Sequence, residues 1–600
     1  MPLFYGPAQA PRACSRRTAR SYGTVEVAML KFLLGLLTGI ALVFLGIVLL
    51  FAAALRFRER PPQIADNSVL VLRLEGDLPE KAPVELPFFQ SERAGVTVTD
   101  VWSSLRKAAL DPRIKAVALE PDGLSVGWAK LEEIRSDLER FRRSGKPTFA
   151  YLRTPGAREY YLALAADRIY LGPSEPLMLK GLRAEVMYFK KTLDKLGVVV
   201  EVEHAGKYKD FGDMFTRSDM SPETREVISS LVDDVYGNLV ARIAAGRKKS
   251  PDDVRALVDR GPFTATEALQ AGLVDELRFE DQMWGELQGR LGSGEPHQVP
   301  VERYARAQGV AGFEGRKRIA LVVAEGDIVR GDPDDTTGDS QGITSYGFDK
   351  VLREVAADSS IAGVVVRIDS PGGEVAASDE IWRQMNLLAK RKPLVISMSD
   401  LAASGGYYMA MTGDPIVAYP LTETGSIGVV YGKPDLHGLF DKLGITEGAI
   451  ERGKHADIDS EYTALTPDER EVLRQGIDES YRDFVGKVAA ARHRPFAQIE
   501  PLAQGRVWMG NQAQANGLVD QLGGLDTALD LVKKRAGIPA AEAVTVVTYP
   551  PRRGLLDVLM KRSSDDMLEE RLSRVLGRLP FRSWMHGGFL RIAPYHVEVR

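Results

Sequence analysis

A serine stands among small residues in Asp400-Leu401-Ala402-Ala403-Ser404-Gly405-Gly406-Tyr407-Tyr408-Met409-Ala410, just after an apolar run from Pro393 to Met398. An apolar run, a tight small-residue turn and then a Pro-free segment predict strand, turn and helix. The Ser404 hydroxyl is then at a turn that can face a cleft, with glycines that let a substrate backbone come close. A helix starting just past the serine aims N–H groups at developing negative charge, as acyl transfer requires. The same residues also suit helix capping and close packing. To act as a nucleophile, Ser404 needs a base and an oxyanion hole from elsewhere in the chain.

Two other stretches could supply them. Asp369-Ser370-Pro371-Gly372-Gly373 ends a run of Val and Ile, and a Pro-Gly-Gly turn there can present a bare backbone N–H to a substrate oxygen. Ala205-Gly206-Lys207-Tyr208-Lys209 holds two lysines, and a lysine acts as base when it is neutral, a form favoured by desolvation or nearby positive charge. Of the seven histidines none falls between Ser404 and Gly432, while His437 and His455 stay open as alternative bases.

The elements that must position these residues occur twice. Ser68 to Leu74 alternates into Glu75-Gly76-Asp77, and Ile319 to Ala324 runs into Glu325-Gly326-Asp327, at an offset of 250. Asp111 to Leu119 matches Asp358 to Val366 at 247, Tyr160-Tyr161 matches Tyr407-Tyr408 at 247, and Ala271 to Asp275 echoes Asn516 to Asp520 at 245. Four sites in register imply two copies of one fold, residues 66–300 and 317–545, joined by a polar link over 301–316 that is expected to be exposed. Short apolar strands alternate with amphipathic stretches such as Lys130 to Arg143 and Ser378 to Lys390, which argues for α/β with largely parallel strands.

Internal alignment then divides the chemistry. At offset 247 Ser404 faces Ala157, and the Gly372-Gly373 pair is absent from the first copy. Lys207 faces Lys454, but Lys209 faces Ala456. The copy with the serine lacks this lysine and the copy with the lysine lacks the serine, as expected for one composite site that draws a residue from each.

The 600 residues, 44% hydrophobic and 27% charged, suffice for two or more globular domains. A net charge of -4 and no nucleic-acid motif argue against a nucleic-acid partner. The single cysteine, Cys14, excludes an internal disulfide, a cysteine zinc site and a thiol nucleophile in the main body. Phe32 to Leu55 is uncharged over 24 residues, long enough to span about 30 Å of hydrocarbon as a helix. More basic residues precede this run than follow it, so residues 1–31 are expected in the cytoplasm and the main body outside it. Met29-Leu30-Lys31 is a natural start for such an anchor, leaving 1–28 as an upstream extension. Residues 550–600 form a tail with a basic, amphipathic part from Leu555 to Leu579, which suits a packed helix or a membrane-surface contact.

Taken together, the anchor, the duplicated α/β unit, the S-P-G-G turn, the A-A-S-G-G-Y-Y turn, Thr424-Gly425-Ser426-Ile427-Gly428 and the G-K-Y-K segment resemble the long, tandem-repeat form of signal peptide peptidase A (protease IV). The resemblance spans residues 30 to 545 and implies two crotonase/Clp-like spiral repeats with a Ser/Lys dyad. It implies Ser404 as nucleophile, Lys209 as general base, Ser426 as the serine that hydrogen-bonds the lysine, and Gly373 with the Gly405 N–H as oxyanion hole. It also implies a homotetramer in the bacterial inner membrane, body on the periplasmic side, that degrades remnant signal peptides with no metal or cofactor. Lys209-Asp210-Phe211-Gly212-Asp213 is more acidic than the family pattern. Two rival readings are a crotonase-type acyl-CoA enzyme, which leaves the apolar run and Lys209 unexplained, and a non-catalytic membrane scaffold.

Overall fold

The computed structural model describes residues 31, 34–46, 61–81, 95–292, 294–331, 342–551 and 589–592. Residues 1–63 and 64–600 are separate units. In the first, residues 34–46 are helical; the rest of the 32–55 run lies outside the described residues, as do 1–30 and the amphipathic stretch 555–579. No described helix is long and apolar enough to cross a membrane.

The second unit is built on two sheets of the same design. Strands β1 (Ser68–Gly76), β2 (Ile114–Leu124), β3 (Thr148–Leu152) and β4 (Arg168–Leu171) lie side by side. Strand β5 (Val199–Ala205) leaves for another sheet, whereas β6 (Glu276–Leu277) and β7 (His297–Pro300) return to the first, giving the order β6-β4-β3-β2-β1-β7 with every pair parallel. The second copy supplies β8 (Lys317–Glu325), β9 (Asp327–Val329), β10 (Gly342–Thr344), β11 (Ile361–Ser370), β12 (Gly372–Glu374), β13 (Leu394–Ala403), β14 (Ile416–Ala418), β15 (Glu423–Gly425), β16 (Val429–Asp435), β17 (Val507–Met509), β18 (Gln521–Leu522) and β19 (Val544–Tyr549). Among these, β18-β14-β13-β11-β8-β19 repeats the first order strand for strand, again all parallel. The apolar runs read as buried strands are buried on both faces, as helix-covered parallel sheets require.

Side-chain anchors repeat with the strands. The Tyr160 hydroxyl donates to the Leu273 carbonyl at 2.7 Å, and that of Tyr407 to Leu518 at 2.8 Å. Tyr161 donates to Asn238 at 2.8 Å, Tyr408 to Asp483 at 2.8 Å. The tyrosine pairs therefore hold helices onto the cores and belong to the scaffold.

Three features depart from the sequence reading. A third, mixed sheet, β10-β9-β12-β20-β16-β5, takes strands from both copies and from β20 (Phe589–Ile592), and β16 runs antiparallel to β5 and β20. Strand β15 continues the second sheet beside the end of β13 and pairs antiparallel with β17; the first copy keeps only a bridge, Leu177 to Phe263, at the matching place. Finally, the link over 301–316 is not wholly exposed. Val301–Ala305 is a helix with Val301 and Tyr304 buried, because Tyr304 donates to Asp111 at 2.9 Å and Lys107 Nζ reaches the carbonyls of Ala305 and Ala307 at 3.0 and 2.8 Å.

Candidate active site

Ser404 stands where β13 ends and the short helix Gly405–Met409 begins. Its backbone, at φ 54° and ψ −114°, is one that non-glycine residues adopt only at a cost of about 1–3 kcal/mol. The turn is held from both sides: Ser404 N–H donates to the Gly425 carbonyl at 2.8 Å, and Tyr408 N–H to the Ser404 carbonyl at 2.8 Å. Ser426 follows the neighbouring parallel strand β15, which pairs Ala403 with Gly425, so both hydroxyls leave the C-terminal edge of one sheet.

Lys209 arrives from the other copy. Strand β5 pairs with β16 and sets Ala205 opposite Val429, which carries the Gly206–Lys209 turn to the Ser426–Gly428 turn. The turn is pinned by Tyr208 N–H donating to Gln504 at 2.7 Å and Lys209 N–H to Gly206 at 3.1 Å. Across 195 residues of sequence, Lys209 Nζ then lies 2.8 Å from Ser404 Oγ. It is also 3.0 Å from Ser426 Oγ and 3.1 Å from the Ser426 carbonyl oxygen. Lys209, Ser404 and Ser426 are each 0% exposed.

Nζ donates to three acceptors, the Ser426 carbonyl, Ser426 Oγ and Ser404 Oγ, which fix the amine beside the Ser404 hydroxyl. His437 and His455 sit instead on Asp441 and Asp468, at 3.3 and 3.2 Å.

The two oxyanion candidates come from turns in contact. A Cβ added at Gly405 would lie 3.0 Å from Gly372 Cα and 3.1 Å from Gly373 N, and one at Gly406 2.8 Å from the Ser370 carbonyl oxygen. Only side-chain-free residues allow this approach. Ser370 Oγ braces the turn, donating to the Gly326 carbonyl at 2.7 Å and accepting from Gly372 N–H at 3.2 Å.

Behind these turns lies a charged support that sequence reasoning missed. Lys130, from the first-copy helix Trp128–Arg142, puts Nζ 2.7 Å from Asp369 and 4.0 Å from Asp400, and its N–H donates to Asp400 at 2.8 Å. Asp369 in turn accepts from Leu401 N–H at 3.0 Å, tying the strand before the glycine turn to the strand before Ser404. Burial alone would push the Lys130 pKa down; Asp369 and Asp400 outweigh it and hold the ammonium firmly charged. Two aspartates at matching strand ends, Asp369 and Asp400, were the available signal. Among the described residues no cluster of His, Cys, Asp or Glu could hold a metal ion.

Residues 140–292 and 386–539 match peptidase family S49. The chloroplastic serine protease SPPA of Arabidopsis thaliana is 36% identical over 504 residues, 83% of this chain and 73% of that protein. Protease 4 of Salmonella typhi is 32% identical over 77% of this chain and 75% of its own length, and protease 4 of Haemophilus influenzae is 30% identical over 81% and 83%. A solved ClpP1 mutant from Listeria monocytogenes shares 15% identity over 35% of this chain and 94% of that one at a TM-score of 0.22, too low to bear on the fold. The curated relatives define the class as serine peptidase. The chain belongs to peptidase family S49.

One variant probes the lysine's seat through the backbone that carries it. A Cβ at Gly505 would lie 2.6 Å from Lys209 N and 2.7 Å from its Cβ, at a φ of +76°. Gly505→Ala is expected to lower kcat about 100-fold, the usual effect of an ångström-scale misplacement, with KM little changed. Steady-state kinetics on a fluorogenic peptide checks it.

Proposed function

We propose that this serine peptidase cleaves apolar peptides, remnant signal peptides among them, with Ser404 as nucleophile and Lys209 as general base. The observation that carries the reading is the 2.8 Å approach of Lys209 Nζ to Ser404 Oγ, both side chains being buried. Neutral Lys209 takes the Ser404 proton as Oγ attacks the scissile carbonyl, and Ser426 orients the amine. Backbone N–H groups of Gly373 and Gly405 stabilise the oxyanion. Lys209 then gives its proton to the leaving amine, and a water activated by the same lysine hydrolyses the acyl-enzyme. A fluorophosphonate followed by peptide mass mapping tests the assignment: a single adduct on Ser404, lost in Lys209→Met, is expected, and an adduct elsewhere overturns it.

The apolar run Phe32 to Leu55 supports a single-pass anchor in the inner membrane with the body on the periplasmic side, near membrane-borne leftover peptides. We take the assembly to be a homotetramer, and the two repeats to be Clp-like units over 66–300 and 317–545.

The third sheet suggests how an extended peptide seats. Strand β20 runs antiparallel to β12, with Gly373 opposite Arg591, and antiparallel to β16, with Val430 opposite Leu590. It fills a one-strand slot that ends at the glycine turn and at Ser426, the place where an added substrate strand would bring its carbonyl to Ser404. Removing residues 589–600 is then expected to lower KM, by about tenfold if the tail fills the slot nine-tenths of the time. Kinetics of the truncated and full chains on one apolar peptide check this.

A further inference from the structure

We infer that Arg506 is a positioning residue for the dyad, a role that rests on the Ser404/Lys209 reading above. Its guanidinium, stacked on Tyr208 and Trp508, holds the turn that carries Lys209 in register with the turns that carry Ser404 and Ser426. A three-residue bed, Gln504-Gly505-Arg506, lies under turns from both copies. From the first copy, Tyr208 N–H donates to the Gln504 carbonyl at 2.7 Å and Lys207 N–H to Gln504 Oε1 at 3.2 Å. From the second, Ser426 N–H donates to the Arg506 carbonyl, and Gly505 N–H of the bed donates to the Ile427 carbonyl, both at 2.8 Å.

The side chain of Arg506 ties the same turns together. Its guanidinium carbon lies 5.0 Å from the centre of the Tyr208 ring and 4.5 Å from that of Trp508. Nη1 donates to the Tyr208 hydroxyl at 3.2 Å and also to Glu226. Tyr208 and Glu226 both come from the first copy, Glu226 from the helix Pro222–Arg247, and the Tyr208 hydroxyl itself donates to Glu226 at 3.2 Å. Tyr208 adjoins the base. Trp508 pairs with Thr424 on β15, and a Cβ added at Gly425 would lie 2.9 Å from its Cδ1. The carbonyl of that same Gly425 accepts the Ser404 N–H. One cation therefore touches the residue beside the base and the ring against the serine's support. A planar guanidinium can stack on rings and donate in a fork at once, which an ammonium cannot.

The repeat supplies a contrast. Leu177 bridges Phe263 where Thr424 pairs with Trp508, which aligns Phe263 with Trp508 at offset 245 and Gly261 with Arg506. At offset 247 Tyr208 faces His455, whose imidazole sits 3.2 Å from Asp468. The positions matching the clamp hold neither its arginine nor its tyrosine, just as those matching the dyad, Ala157 and Ala456, hold neither serine nor lysine. A tie that served the fold alone would be as useful in both copies. None of the side-chain partners of Arg506 is on β12 or β16, the strands that flank the proposed peptide slot. Its loss should therefore misplace the base without weakening peptide binding, so that kcat falls and KM stays.

Kinetics of the full chain on one fluorogenic apolar peptide, beside circular dichroism of each variant, test this. Arg506→Ala is expected to lower kcat about 10- to 100-fold, with KM within about twofold of wild type. Millimolar methylguanidinium, which can enter the vacated stack, is expected to raise the rate of Arg506→Ala about tenfold, and urea, planar but uncharged, is expected not to. A fold that has merely loosened would not answer to the cation in this way. Arg506→Lys keeps the stem and the charge, so it folds even where the alanine variant does not, and it is expected to stay about tenfold slow. Adding Tyr208→Ala to Arg506→Ala should cost little beyond the worse single variant, since the two side chains act through one another. Wild-type kcat in either Arg506 variant overturns the inference, as does a loss that methylguanidinium leaves unchanged. Ser404→Ala, run alongside, separates the two failures: if it is fully active the dyad reading falls, whereas an inactive Ser404→Ala beside an unimpaired Arg506→Ala removes only the role of Arg506.

Discussion

Replacing Lys209 with methionine, or Ser404 with alanine, is expected to lower peptide hydrolysis by a factor on the order of 10⁴ to 10⁶ without unfolding the chain. The size follows from the dyad acting as a unit. In the proposed mechanism Ser404 Oγ is a weak nucleophile until its proton leaves, and Lys209 Nζ, 2.8 Å away, is the proposed base in contact with it. Once either is gone the other has no task, so the double variant should be no slower than the worse single one. Methionine fills the volume of the buried lysine stem, which separates lost chemistry from a collapsed cavity. Rates on a fluorogenic peptide, beside circular dichroism of each variant, check the claim. Full activity in both single variants would remove Ser404 and Lys209 from the mechanism.

Why this pair was legible in the sequence is a matter of internal contrast. The duplicated fold gave every site residue a counterpart in the same chain, and Ser404 against Ala157 with Lys209 against Ala456 formed a reciprocal pattern. The parallel sheets were legible because buried strands read as unbroken apolar runs bounded by turns. Pairing between copies was not. Val199 to Ala205 alternates like a strand, yet nothing local says that its partner is β16, about 230 residues on. The half-buried link over 301–316 was missed for a related reason: its burial depends on Lys107 and Asp111, some 200 residues earlier. Arg367 was hidden differently, since one charge inside the run Val364 to Ile368 looks like a break in a core strand until its partners are seen.

Those partners make Arg367→Ala the variant with the largest expected cost in stability, about 3–5 kcal/mol. The guanidinium is 0% exposed and comes from β11 of the second copy, but its carboxylates, Glu80 and Glu133, come from the first. Nε and Nη2 donate to Glu80 at 3.0 and 2.8 Å, Nη2 also to Glu133, and Nη1 to Ser397 Oγ at 3.0 Å. Burial alone would push the guanidinium pKa down, and Glu133 and Glu80 reverse that, so the group is charged at every working pH. Removing it leaves two carboxylates buried without their cation, which costs far more than the net worth of the ion pair. Chemical unfolding followed by circular dichroism should show the loss, and adding Glu80→Gln and Glu133→Gln should restore part of it by removing the stranded charges. A second effect separates this cluster from an ordinary core site. Arg367 lies two residues before Asp369, the strand end that Lys130 clamps to the Ser404 turn. The partly restabilised triple variant should therefore still show a lowered kcat, because the strand that carries Gly373 toward Ser404 has lost its anchor in the other copy.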